Sequence, residues 1–200
     1  MLNPNFVIVG SLIFLGGSAS YLIDTLKGKV RPNKVTWFLW GFAPLIAFAA
    51  EITQGVGIAS LLTFTVGFVP LIVFLASFVN RKSYWKINKL DIGCGVFSVI
   101  GLVLWYTTKV GNIAIGFSIL ADFLAAVPTL VKSYNQPETE NYLLFLTNAI
   151  SAGITLLTIK VWSFATFAFP LYIFLITSVF AILIKFKIGK LLRYSPGRLR

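Results

Sequence analysis

The stretch VGIASLLTFTVGFVPLIVFLASFV, residues Val56–Val79, runs for 24 residues without one charged side chain. A helix of about 20 apolar residues is long enough to cross the hydrocarbon core of a bilayer. The segment must be helical in that setting, because lipid offers no hydrogen-bond partner to backbone N–H and C=O groups. This stretch therefore predicts a transmembrane helix.

Apolar stretches of similar length occur on both sides of it. They are Phe6–Ile23, Val35–Ile52, Ile92–Thr107, Ile113–Val131, Tyr142–Thr158 and Val161–Ile184. Over all 200 residues the chain is 58% hydrophobic and 12% charged, with a mean hydropathy of +0.88. Soluble domains have about 25% charged residues, so this composition leaves too few charges to cover a soluble surface. We expect an all-α integral membrane protein with seven transmembrane helices.

The basic residues predict the orientation of these spans. Of the 17 Lys and Arg residues, 15 fall on one side of a seven-span arrangement, and only Lys109 and Lys160 fall on the other. Positive charge is enriched in cytoplasmic connections. The N-terminus is therefore expected outside and the C-terminus in the cytoplasm. The 15 residues are Lys27, Lys29, Arg31, Lys34, Arg81, Lys82, Lys86, Lys89, Lys132, Lys185, Lys187, Lys190, Arg193, Arg198 and Arg200.

An internal repeat divides the spans into two groups. The run PLIVFL at Pro70–Leu75 matches PLYIFL at Pro170–Leu175, an offset of 100 positions. The spacing of Lys27 and Pro32 also recurs 105 positions later. The matches indicate two copies of a three-helix unit. Because three is an odd number, the intervening span must cross the membrane for both copies to point the same way, as in parallel transporter repeats.

This reading gives a 3+1+3 parallel-repeat arrangement. We expect a first three-helix bundle over residues 1–80 and a linker helix within 81–110. A second three-helix bundle follows over 111–187, and a basic cytoplasmic tail over 188–200.

At this level the chain resembles the SWEET and PQ-loop transporter superfamily, as a divergent or uncharacterised branch. Pro128-Thr129, followed by an acidic loop at Glu138–Glu140, is similar to the family's Pro-Gln motif. The first repeat has Tyr21-Leu22 near the same position. Sugar-transporting members carry an Asn in the third helix of each repeat, and neither the third nor the seventh span here contains one. The resemblance implies a transporter and leaves its substrate open.

Asp122 lies near the middle of the fifth span. An ionisable side chain at that depth costs about 3 kcal/mol, so it is a functional candidate. Asp122 is expected either to bind a cationic group or carry a proton, or to pack by hydrogen bonding to a neighbouring helix. Asp24, Glu51 and Asp91 lie at span ends, where we expect a solvated carboxylate or a partner for a loop lysine.

Aromatic and amide side chains supply candidates for a binding site. Trp37 and Trp40 are spaced i, i+3 and project from nearly one helix face. With the 105-residue offset, Phe145 is the counterpart of Trp40, and Asn148 lies one turn further along. We expect Trp40, Trp37, Asn148 and Phe145 to line a substrate cavity, since aromatic rings stack on flat solutes. A lipid-interface position for Trp37 is an open alternative.

Four prolines fall inside predicted spans: Pro44, Pro70, Pro128 and Pro170. Proline removes a helical hydrogen bond and kinks the helix. They are hinge candidates for movement of one bundle against the other, or passive kinks that serve packing. In the first span, Gly16 and Gly17 would let another helix approach closely.

The chain has no histidine and a single cysteine, Cys94, and contains no nucleotide-binding, serine-hydrolase or zinc-protease motif. We expect no enzymatic activity, no cofactor and no metal. The predicted function is small-solute transport by alternating access between two bundles, at the cell membrane. The substrate would be a sugar, amino acid, nucleoside or vitamin-like solute.

A non-transporting membrane receptor or trafficking factor on the same fold is the alternative to transport. The expected partners are the bilayer and a small-molecule substrate, with no nucleic acid. A homo-oligomer is left open.

Overall fold

The structure, a computed structural model, describes residues 1–80, 89–108 and 110–193. Six basic residues used in the orientation argument, most of the predicted tail and the start of the predicted linker lie outside these ranges. Those basic residues are Arg81, Lys82, Lys86, Lys109, Arg198 and Arg200.

Within the described ranges the chain forms helices and no β-strand. Seven helices have 17 residues or more, and a short helix follows them. They are α1 Phe6–Leu26, α2 Lys34–Thr53, α3 Ser60–Ala76, α4 Lys89–Thr108, α5 Gly111–Asn135, α6 Tyr142–Thr158, α7 Phe164–Lys185 and α8 Ile188–Arg193. Single 3₁₀ turns at Gly57–Ala59 and Pro137–Thr139 precede α3 and α6.

Each predicted span corresponds to one of α1–α7. By length and hydropathy, five of them are able to cross a membrane: α1, α2, α3 with its preceding turn, α5 and α7. Helix α6 is apolar but has 17 residues, which gives it a length of about 25 Å at 1.5 Å per residue. The prediction of an all-helical membrane protein is confirmed at this level.

The described surface is apolar and the interior holds polar groups. Leu12, Leu75 and Leu157 are exposed on the outside of the helices, whereas Asp122 and Asn148 are buried among them. A surface of this kind is compatible with a lipid bilayer, since a soluble protein rarely exposes contiguous apolar patches larger than a few hundred Å².

Helices α2 and α6 begin with the same cap. The side chain of Asn33 accepts a hydrogen bond from the backbone N–H of Val35, and Asn141 accepts one from Leu143. Such a bond satisfies a donor that has no partner within the first helical turn. The two caps are 108 positions apart (141 − 33). A 108-residue offset aligns Trp37 with Phe145, whereas the 105-residue offset aligns Trp40 with Phe145.

The contacts between helices form a regular pattern. Helix α1 packs against α3 and α6, α2 packs against α3 and α5, and α7 packs against α5 and α6. Helix α4 packs mainly against α5. If α1 is exchanged with α5, α2 with α6 and α3 with α7, the six contacts among these helices remain the same set.

Close packing of α1 on α6 depends on Gly17. A Cβ atom at Gly17 would lie 2.8 Å from the Cβ of Thr147, whereas one at Gly16 would meet nothing within 4 Å. The predicted close approach at this glycine pair therefore occurs at Gly17.

The α1–α2 and α5–α6 connections meet at one end of the bundle. The backbone N–H of Arg31 donates to the carbonyl of Thr139 (3.0 Å), and Lys190 of α8 pairs with Glu138 (2.9 Å). We call this the basic end. The described basic residues in its helix ends and connections include Lys27, Lys29, Arg31, Lys34, Lys132, Lys185, Lys187, Lys190 and Arg193.

Different segments meet at the opposite end. The backbone N–H of Leu2 donates to the carbonyl of Leu157 at the end of α6 (3.0 Å). Gln54, just after α2, lies against Gly111 at the start of α5. A crevice of about 330 Å³ opens there between the α2–α3 and α6–α7 connections, lined in part by Val56.

Candidate functional site

A buried cavity lies inside the helix bundle, and six helices contribute to its wall: α1, α2, α3, α5, α6 and α7. All five residues predicted to bind substrate or charge line it. They are Trp37, Trp40, Asp122, Phe145 and Asn148. The cavity is narrow, with about 40 Å³ open to the centre of a water molecule. A water needs about 10–15 Å³ on this measure, so the space suffices for a few waters.

Trp40 is the central side chain of the wall. Its indole N–H donates to the backbone carbonyl of Asp122 (3.2 Å), which ties α2 to α5. Its ring stands nearly perpendicular to those of Trp37, Phe145 and Phe180, with interplanar angles of 81°, 76° and 89°. Phe145 and Phe180 stack on each other with centroids 4.5 Å apart. The aromatic wall thus presents rings in two perpendicular orientations.

Asp122 is 4% exposed and lies between α5 and α7. The hydroxyl of Tyr172 donates to its Oδ2 atom over 2.6 Å. This bond realises the predicted hydrogen bond to a neighbouring helix, while the same side chain also lines the cavity. Among the described residues, no Lys or Arg forms an ion pair with Asp122.

Asn148 adds an unsatisfied polar atom to the cavity. Its side chain is 6% exposed, and within the described part of the chain its Oδ1 atom has no hydrogen-bond partner. Thr177, also in the wall, donates its hydroxyl to the carbonyl of Ile173 (2.6 Å) and keeps lone pairs to accept with. The indole N–H of Trp37 is a buried donor that also has no partner within the described residues, so the wall offers unpartnered acceptors and one unpartnered donor.

Trp37 occupies the end of the cavity nearest the basic end. It is 1% exposed, so the alternative of a position at the lipid interface is wrong. Its ring packs against Tyr21, with centroids 4.8 Å apart, and against Trp40 at 5.3 Å. Contact with side chains of other elements, such as Tyr21 of α1, buries it, which helix spacing alone did not decide.

A buried polar cluster lies directly beyond Trp37. The Tyr21 hydroxyl donates to Oε2 of Glu140 (2.7 Å), and Lys132 forms an ion pair with Oε1 of the same carboxylate. Lys132 also donates to the carbonyl of Arg31. We call Tyr21, Lys132 and Glu140 the latch. They join α1 and the α1–α2 connection to α5 and the α5–α6 connection.

A second set of contacts reinforces the latch. The amide of Asn141 donates to Asp24 (2.7 Å) and to Ser20 (3.1 Å) on α1. Asp24 also pairs with Lys29 at 3.7 Å, which confirms it as a partner for a loop lysine.

Glu51 does not fit the expectation of a solvated span end. It is 1% exposed and accepts a hydrogen bond from Thr63 of α3 (3.0 Å). Proximity to the end of a hydropathy run suggested water, but packing of α3 over α2 excludes it. The side chain of Asp91 lies outside what the structure describes.

The hinge candidates all lie inside helices: Pro44 in α2, Pro70 in α3, Pro128 in α5 and Pro170 in α7. Pro70 also lines the cavity. Their location agrees with the prediction, and their role in movement stays a prediction.

Sequence reasoning missed Tyr172, Phe180 and the latch. One signal for Tyr172 was present, since it is the polar member of PLYIFL and stands where the first repeat has Ile72. Phe180 sits in a run of apolar residues and carries no such signal.

Comparisons with protein-family models, with curated proteins and with solved structures give no match for this chain.

Proposed function

We propose that the protein is a small-solute carrier that works by alternating access between two three-helix bundles, α1–α3 and α5–α7, with α4 as the linker. The observation that carries the proposal is the cavity between them, because side chains from all six of these helices line it. Binding sites of transporters built from repeats lie at the repeat interface near mid-membrane.

The contact pattern supports the 3+1+3 arrangement. Exchanging the two sets of three helices leaves the set of contacts unchanged, as expected for two copies related by a twofold axis. The Asn33 and Asn141 caps are a further shared feature. The clustering of basic residues at one end supports an outside N-terminus and a cytoplasmic C-terminus, because cytoplasmic connections carry excess positive charge.

The two ends of the bundle differ in a way that suits alternating access. The latch crosses between the two proposed bundles at the basic end. A crevice of about 330 Å³ lies at the other end. A conformation closed toward the cytoplasm would have these features, and rocking of the bundles would break the latch.

Transport is tested by reconstitution in liposomes with a panel of labelled sugars, amino acids, nucleosides and vitamins. We expect uptake of at least one solute, and we expect Asp122→Asn to alter the rate or its pH dependence. Glu138→Gln, an exposed carboxylate outside the cavity, is the matched control and should transport normally. If no solute is taken up or shifts the melting temperature, the carrier proposal fails.

Cysteine labelling separates a carrier from a receptor. With Cys94 replaced by Ala, a single cysteine at Asn148 is probed with an impermeant thiol reagent from each side of the membrane. A carrier should react from both sides, in proportions that change with substrate. Reaction from one side only would favour the receptor alternative.

A further inference from the structure

The charge of the cavity wall is one-sided. Asp122 is a carboxylate in the wall, and no Lys or Arg stands among the described lining residues. Two basic side chains of α2 and α5, the helices that carry Trp40 and Asp122, make other contacts: Lys132 pairs with Glu140, and Lys34 lies over the ring of Phe78 at 4.5 Å. An anionic solute would therefore find no basic partner among the described lining residues, and an ionised Asp122 would repel it strongly in a low-dielectric site.

The aromatic wall favours positive charge as well. Cations are attracted to the faces of Trp, Tyr and Phe rings. Trp40 lies in one plane, and the stacked pair Phe145 and Phe180 lies nearly perpendicular to it. Rings in two orientations next to one carboxylate are the elements of an aromatic cage for a cationic nitrogen. We call Trp40, Phe145, Phe180 and Asp122 the cage.

The cavity also holds acceptors that a cationic nitrogen bearing N–H groups would satisfy, beside one unpartnered donor, the indole N–H of Trp37. Asn148 Oδ1 is an acceptor without a partner in the described structure, and Asp122 Oδ2 accepts a hydrogen bond from Tyr172. A buried acceptor left unsatisfied costs about 1–3 kcal/mol, and a donating or cationic ligand removes that cost. The narrow space, with about 40 Å³ open to the centre of a water molecule, requires that such a ligand be small.

We propose that the cavity binds a small, flat organic cation, a single ring with a positively charged nitrogen directed at Asp122 and the ring lying against Trp40. This inference rests on the proposed function for its site, but it concerns the class of ligand and is tested by binding rather than by transport.

Three probes of nearly equal size separate the charge states: N-methylpyridinium, the neutral N-methyl-2-pyridone, and benzoate. Binding to the purified full-length protein is measured by equilibrium dialysis and by the shift in melting temperature. We expect the cation to bind at least tenfold more tightly than the neutral ring, and benzoate not to bind.

Two variants assign the effect to the cage. Asp122→Asn should weaken cation binding at least tenfold, as expected for loss of a charge-assisted contact, and leave the pyridone unchanged. Phe180→Leu should weaken it by roughly 2-fold to 30-fold, the range of a cation–π contact, and it remains informative if Asp122→Asn does not fold. Glu138→Gln is the control and should bind as the unaltered protein does.

The proposal is overturned if the cation does not bind, if the pyridone or benzoate binds as tightly, or if both cage variants keep full cation affinity. Flux of N-methylpyridinium into liposomes distinguishes failure of this proposal from failure of the proposed function. Cation binding without flux of this cation or of any solute in the panel would refute the carrier and keep the cage. Flux of a neutral solute without cation binding would refute the cage and keep the carrier.

Discussion

The latch yields the sharpest prediction, because its Lys132–Glu140 ion pair is buried and the Lys190–Glu138 pair offers an exposed comparison. The side chains of Lys132 and Glu140 are 10% and 1% exposed, whereas those of Lys190 and Glu138 are 52% and 53% exposed. The substitution Glu140→Gln leaves the Lys132 ammonium buried without its countercharge. Breaking a buried pair by removing one partner costs about 3–5 kcal/mol, whereas an exposed pair contributes about 0–1 kcal/mol.

We take the lower value, about 3 kcal/mol, because the Gln amide oxygen still accepts a hydrogen bond from Tyr21. If the latch acts only in the conformation closed at the basic end, that loss shifts the equilibrium toward opening by about 100-fold, since each 1.4 kcal/mol is a factor of ten. The assay is the rate at which an impermeant thiol reagent, applied at the basic end, modifies a cysteine at Asn148 in a Cys94→Ala background. We expect the Glu140→Gln rate to rise by one to two orders of magnitude.

Glu138→Gln is the matched control, and its rate should stay within about twofold of the parent, the effect of an exposed pair. The ammonium of Lys190 holds the pKa of Glu138 below its usual range through their hydrogen bond, so this residue is ionised near neutral pH and the control also removes a charge. The double variant Lys132→Met/Glu140→Gln should lose less stability than the sum of the single variants, because neither charge is left alone. Equal labelling rates for the two Glu→Gln variants would refute the assignment of the latch as a closing contact.

Two further substitutions test the packing of the bundle. Gly17→Ala should destabilise the protein by about 1–3 kcal/mol through overpacking against Thr147, while Gly16→Ala should be neutral or slightly stabilising because alanine favours helix; equal midpoints of thermal unfolding in detergent would contradict this. Tyr172→Phe should cost about 1–3 kcal/mol, since Asp122 loses a buried donor; unchanged unfolding in denaturant titration would show that this bond adds no stability.

Hydropathy predicted the helices well because the length of an apolar run indicates how many consecutive residues are shielded from water. Helix α6 runs over Tyr142–Thr158, the bounds expected from the sequence. Helix α7 starts at Phe164 rather than Val161, because Ser163 and Thr166 form a capping box after two apolar residues that precede the helix. Composition includes those apolar residues in the span, whereas the cap fixes where helical hydrogen bonding begins.

Site residues were predictable where a polar side chain is energetically costly inside an apolar span. Asp122 and Asn148 stand out in apolar runs because lipid does not satisfy them, and both line the cavity. Glu51 was misjudged because its burial depends on α3 packing over it, a tertiary contact with no local signal. The latch was missed for the same reason, since Lys132 and Glu140 resemble ordinary loop charges until the two connections meet.

Trp37 connects the two features on which the proposed mechanism depends. Its ring touches Trp40 on the cavity side and Tyr21 on the latch side, and Tyr21 in turn donates to Glu140. A ligand shifts a conformational equilibrium only by as much as it binds one state better than the other. If a solute larger than the narrow cavity displaces this ring, the displacement reaches Tyr21 through direct packing. Occupancy of the cavity would thus weaken the contact that holds the basic end closed, which is the coupling an alternating-access carrier requires.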